Sequence, residues 1–215
     1  MKKRNTRLFT ALCALLSFCG WTIAVKYADV RPIGPNGSSV GLATLNGFFH
    51  SLTGELEILY ILTDLFGLIP LAIAFAYAVL GFVQLVRGRC IRSVDRSILC
   101  LGVIYAITVL VFVIFEIDAV NYRPVLIEGV LEVSYPSSTT MLVGVIIPTA
   151  MIDIKGRMRS GNIRRLIICT LALFMLFMII GRIISGVHWI SDIIGGALIS
   201  SAIVLFYSFI LSVRD

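Results

Sequence analysis

The segment GRIISGVHWISD, residues 181–192, carries three side chains that together can handle phosphate. Arg182 precedes His188 by six positions, and Asp192 follows it by four. If a helix has already begun at His188, that four-residue spacing puts imidazole and carboxylate on one face. Asp192 would then accept a proton from one ring nitrogen and fix the tautomer, leaving the other nitrogen as a nucleophile. The planar fork of Arg182 suits phosphate oxygens. The plainer reading of His188 is an interfacial histidine held by Asp192, and of the arginines, snorkelling side chains. Two shorter motifs accompany the first. NYRP (121–124) supplies Arg123, and YPSS (135–138) supplies Ser137, whose hydroxyl can donate, and Ser138. Backbone N–H groups at a helix start there suit an anion.

These residues need a scaffold, and composition says which kind. Of the 215 residues, 59% are hydrophobic and only 14% charged. A soluble domain carries roughly a quarter charged residues. Apolar runs long enough to cross a bilayer as helices recur along the chain. The expected fold is all-α, a single membrane domain over 1–215 with six transmembrane helices. The spans are expected at Leu8–Val25, within Ile58–Val86 (with Pro70), at Ile98–Phe115, Ser137–Ile154 (with Pro148), Leu166–Gly181 and Trp189–Leu211. The first follows MKKRNTR and reads as a retained anchor, with a cleaved signal segment as the alternative.

Charge orients the bundle. Fourteen of the 18 Lys and Arg residues fall before the first span, between spans two and three, between four and five, or after six. Basic loops stay cytoplasmic, which places both termini inside. The net charge of +6 therefore belongs to these loops and implies no nucleic-acid partner. Lys26, Arg31, Arg123 and Arg182 are left on the outer side. An arginine at the edge of a span is costly and usually snorkels or binds something. Five cysteines (Cys13, Cys19, Cys90, Cys100, Cys169) show no paired spacing and read as buried thiols, not as disulfides or metal ligands.

Residues 28–57 form an outer loop. RPIGPNGSSVG is rich in turn residues, and Leu45, Phe48, Phe49 and Leu52 then follow one helical face, which suggests a surface helix or one packed on the bundle. Asn36-Gly37-Ser38 fits a glycosylation acceptor weakly. His50 sits in this helix, where it either supplies a proton or faces headgroups. Asp64 reads as a helix-end or interface carboxylate.

The order and spacing of the three motifs resemble the phosphatidic acid phosphatase type 2 superfamily. That family includes bacterial undecaprenyl pyrophosphate phosphatases and is related to vanadium haloperoxidases. The resemblance covers 116–192 closely. It implies that His188 becomes phosphorylated and that Asp192 orients it. It implies that Arg123 and Arg182 clamp the phosphate, with Ser137 and the N–H of Ser138 as its cradle. No metal or other cofactor is implied. The departures are specific. Glu116 stands where the family has lysine, Ser138 replaces glycine, Thr139 replaces the second histidine, which is the general acid, and Gly181 replaces a serine. Glu116 is expected either to pair with Arg123, seven residues on, or to be protonated as a substitute acid. General acid catalysis is worth roughly 10²–10⁴-fold. A phosphate leaving group, with a second pKa of about 6, needs that acid less than an alkoxide does. The expected function is hydrolysis of a lipid phosphate, and preferably a lipid (prenyl) diphosphate, at the outer face of the membrane. A catalytically silent lipid-phosphate binder and a lipid phosphotransferase are the alternatives. The lipid and the oligomeric state are not legible.

Overall fold

Inside a bilayer no water is available to the backbone, so each apolar run must close its own hydrogen bonds as a helix. The computed structural model describes residues 2–212 and follows that rule. Eight α-helices follow in order: α1 Lys2–Tyr27, α2 Ala43–Thr53, α3 Glu57–Phe66, α4 Leu68–Gly88, α5 Arg96–Ile117, α6 Ser138–Arg157, α7 Asn162–Ile184 and α8 Ile190–Leu211. Six stretches among the described residues are long and apolar enough to cross a membrane, with α3 and α4 together making one of them. The chain is a multi-pass membrane protein. Arg214, counted above with the inner basic residues, lies outside the described residues.

The second span differs from expectation. It is broken at Gly67 into α3 and α4. The 32 residues from Glu57 to Gly88 exceed the ~20 that one crossing needs, and the surplus, about three turns, becomes a separate short helix. Pro70 sits in the first turn of α4, where its missing N–H costs nothing.

Helices α6 and α8 form the buried centre. Helix α1 lies along α8, and α7 closes the other side of α6. Met141 and Val145 of α6 pack with Ile199, Ile203 and Tyr207 of α8, with Phe18 and Val25 of α1, and with Tyr135 just before α6. Val143, Ile147 and Met178 make a second cluster between α6 and α7. Helices α4, α5 and α7 turn Phe75, Phe82, Val103, Val113, Leu166 and Leu173 outward, as lipid contact requires. The cysteines correct the sequence reading. All five are free, but Cys13, Cys19, Cys90 and Cys169 are exposed rather than buried in the core, and only Cys100 is half-buried.

Two loops shape the end of the bundle that holds the motifs. Helix α2 leaves Phe48 and Leu52 exposed while burying Asn46 against α8. Between α5 and α6 the chain makes a short antiparallel excursion, with bridges Tyr122–Val133 and Ile127–Val130. Glu128 and Gly129, at φ +48° and +80°, turn it round.

Candidate active site

His188 lies ahead of α8, not in it. Helix α8 begins at Ile190 and Trp189 is its N-cap. The four-residue spacing to Asp192 therefore works through a helix entry, with Asp192 in the first turn. Asp192 Oδ2 accepts from the Trp189 backbone N–H at 3.0 Å, which satisfies one of the donors a helix start leaves open. His188 Nδ1 is 3.8 Å from the same oxygen, an ion-pair distance too long for a hydrogen bond. The tautomer is set from the other side. Arg123 Nη1 stands 3.3 Å from His188 Nε2. A guanidinium can only donate, so Nε2 must accept and the ring proton resides on Nδ1. Burial pushes the imidazole well below its ordinary pKa, and Arg123 and Arg182 push it the same way, with the Ser134 backbone opposing. The ring is thus neutral, with a lone pair on Nε2 directed toward a cationic group.

Arg182, in the last turn of α7, is almost fully buried. Its Nη2 donates to Thr139 Oγ1 at 2.6 Å and approaches Asp64 Oδ1 at 3.3 Å. Its Nε and Nη1 are buried with no hydrogen-bond partner. Buried N–H groups left unpaired are costly, so their retention argues for an anion that completes them. Tyr60 of α3 lies beneath the guanidinium, 5.3 Å from ring centroid to Cζ. Helix α3 can come this close because residue 181 is glycine: a Cβ there would stand 2.6 Å from the Thr63 methyl. The glycine that departs from the family motif is what admits α3 to Arg182.

The expected Glu116–Arg123 pair does not form. Helix α5 ends at Ile117, so Arg123 is outside the helix and shares no face with Glu116. Arg123 Nε instead pairs with Glu132 Oε2 at 3.0 Å, across the excursion, whose ladder brings Arg123 N onto Glu132 O. Glu116 lines the same cavity of about 420 Å³ as Arg123, Glu132 and Ser138, with Phe112, Phe115 and Val130 as apolar wall. Ser137 is the N-cap of α6. Its Oγ accepts from the Thr140 amide and hydroxyl, leaving its own O–H to donate. Ser138 opens α6 and contributes one of its free backbone N–H groups. His50 stays apart from these groups. It meets Trp189 edge-on at 5.4 Å between ring centroids and lies 3.9 Å from Glu55.

Sequence reasoning missed a polar frame behind Asp192. Asn121 Nδ2 reaches Asp192 Oδ1 and Ser191 Oγ at 3.5 Å each, and Asn121 Oδ1 accepts from Gly41 N. Asn46 exchanges hydrogen bonds with Ser191 through both its amide atoms. Trp21 of α1 donates to Ser191 O, and Trp189 to Tyr122 O. The outer loop, α1 and the excursion are thereby fastened to the turn that carries His188. Asn121 belonged to the NYRP motif, but nothing in its spacing announced this role.

The PAP2 superfamily profile matches residues 71–214. A solved structure titled the first transmembrane PAP2 type phosphatidylglycerolphosphate phosphatase from Bacillus subtilis superimposes with a TM-score of 0.62. It is 16% identical, and the match covers 95% of this chain and 97% of that one. No curated protein matches the sequence. With two-thirds of its length under the family profile and the same transmembrane fold, the chain belongs to the PAP2 superfamily.

Proposed function

We propose that this protein is a membrane lipid phosphatase that hydrolyses a lipid diphosphate, and more slowly a monophosphate, through a phosphohistidine at His188. The observation that carries the reading is the buried cationic pair around a neutral imidazole. Arg123 is 3.3 Å from Nε2, and Arg182 holds two unpartnered N–H groups. Ser137 and the N–H of Ser138 complete the cradle. Asp192 braces the turn that carries the ring. All of these groups lie at the end of the bundle away from the basic loops, which is the outer face if those loops are cytoplasmic.

The preference for a diphosphate follows from Thr139. Its hydroxyl sits on Arg182, and a threonine hydroxyl is a poor proton donor to an alkoxide. A departing phosphate needs no such donor. The large cavity, with Phe112, Phe115 and Val130 beside Arg123, suits a lipid whose head and first chain carbons enter together. The same threonine favours a second reading, a binder of lipid phosphates without turnover. Purified protein in detergent, given prenyl diphosphates, prenyl monophosphates and glycerolipid phosphates beside a His188→Ala control, separates them. We expect phosphate release fastest from diphosphates and absent in the control. Faster monoester hydrolysis would refute the preference, and no release from any lipid would favour the binder.

A further inference from the structure

Hydrolysis through a phosphorylated imidazole, on which this inference rests, needs a base in its second half. Water must lose a proton as it attacks phosphorus, and the imidazole, being the leaving group, cannot take it in advance. Thr139 is no base, since its hydroxyl already accepts from Arg182. His50 is turned toward Glu55 at 3.9 Å, and the cavity it shares with His188, about 10 Å³, has room for one water at most. Two carboxylates touch the guanidiniums, Glu132 on Arg123 and Asp64 on Arg182. Glu132 borders the large cavity with the apolar wall, where the lipid is expected. Asp64 borders a different cavity of about 220 Å³, together with Thr139, and its side chain is 65% exposed. Asp64 and Thr139 approach the same guanidinium nitrogen, so their oxygens are no further apart than two such contacts laid end to end. Asp64 is thus a carboxylate at the edge of the phosphate clamp, opening on a cavity other than the one assigned to the lipid.

The local construction favours that placement. Helix α3 stops at Gly67, three residues after Asp64, so the carboxylate sits in the last turn of α3, near the start of the second span. Tyr60 one turn earlier supports the guanidinium, and Gly181 makes room for Thr63. The geometry points to Asp64 as the general base of dephosphorylation. Water attacks phosphorus of the Nε2-phosphoimidazole, and a new P–O bond forms as the P–N bond breaks. The electron pair of that bond returns to Nε2, the water proton passes to the Asp64 carboxylate, and inorganic phosphate departs. Asp64 then releases its proton to solvent, and no oxidant or metal enters the balance.

The test uses the full chain in detergent micelles and farnesyl diphosphate labelled in its terminal phosphate. Wild type, Asp64→Asn, Asp64→Glu and His188→Ala are compared in rapid-quench and steady-state runs. Asp64→Asn should give one equivalent of farnesyl monophosphate rapidly and then stall. Acid-labile label should stay on the protein, and steady release should fall about 10²–10⁴-fold. Asp64→Glu should recover part of the rate and lose the trapped label. A purely structural role for Asp64 would weaken phosphate binding and trap nothing. If Asp64→Asn does not fold, Asp64→Ser at this exposed site carries the same readout. Release by the Asn variant at the wild-type rate, or its loss with no trapped label, overturns the role of Asp64 alone. Turnover surviving in His188→Ala would overturn the phosphohistidine reading, and this inference with it.

Discussion

Two arginines, one near each end of the bundle, are each held by a carboxylate, and they are held differently. Arg157, at the end with the basic loops, spends its whole fork. Nε pairs with Asp153 at 2.6 Å, Nη1 with Asp95 at 2.7 Å, and Nη2 donates to Ser97 at 2.8 Å. Asp95 is held further by Gln84 Nε2, while its backbone N–H donates to Gln84 Oε1. Arg182, at the motif end, is more deeply buried yet engages protein with one nitrogen and leaves two without partners. A structural arginine exhausts its donors on its own chain, because an unmade hydrogen bond is a pure cost. An arginine that binds an anion, the role proposed for Arg182, would keep donors in reserve. The same residue type therefore carries opposite expectations under mutation, and that contrast can be broken experimentally.

The largest effect is expected from the proposed nucleophile. His188→Ala should reduce phosphate release to the uncatalysed background while the protein still unfolds cooperatively in detergent, at a somewhat lower midpoint because the side chain is buried. Next comes Arg182→Lys, which keeps the charge and loses the fork. It should lower kcat/KM about 10²-fold. Arg157→Lys, the matched change at the other end, should leave kcat/KM within about threefold of wild type and lower stability instead. Arg157→Ala should cost about 2 kcal/mol, the usual worth of hydrogen bonds to charged groups. Equal losses of activity from the two lysine variants would erase the distinction between the two ends.

The sequence allowed much of this contrast to be read and hid part of it. His188, Asp192 and Arg182 were legible because they lie in or beside the tight connection that joins α7 to α8, where spacing nearly determines proximity. Six spans were legible because the bilayer leaves a long apolar run no option but helix. The break at Gly67 was not, since a run that is apolar on all sides carries no periodic signal. Glu132 was hidden for another reason: its pairing with Arg123 depends on the turn at Glu128-Gly129, and a helix-based count selects Glu116. Asp64 and Arg182 stand 118 positions apart, and only the packing of α3 on α7 unites them. The Asn46, Asn121 and Ser191 frame likewise joins three distant segments.

The smallest expected effect is on stability as pH falls, and it too separates the ends. The buried His188 imidazole resists protonation well below its ordinary value of about 6.5, whereas in the unfolded chain it titrates normally. Below pH 6.5 the unfolded state therefore binds more protons, and stability must fall with pH. One such group contributes at most about 1.4 kcal/mol per pH unit. The opposite end predicts no such slope in this window. Asp95 is held below the usual carboxylate range by Gln84 and Arg157, so its contribution persists until pH drops under about 4. Unfolding midpoints at pH 7.5 and 5.5 should therefore converge for wild type and His188→Gln as the pH falls, because only wild type pays for keeping an imidazole neutral. Arg157→Ala should keep a constant offset from wild type across the same interval. A wild-type midpoint that ignored this pH range would mean that the ring is already hydrated or charged, and Nε2 would then lack the lone pair that the proposed chemistry requires.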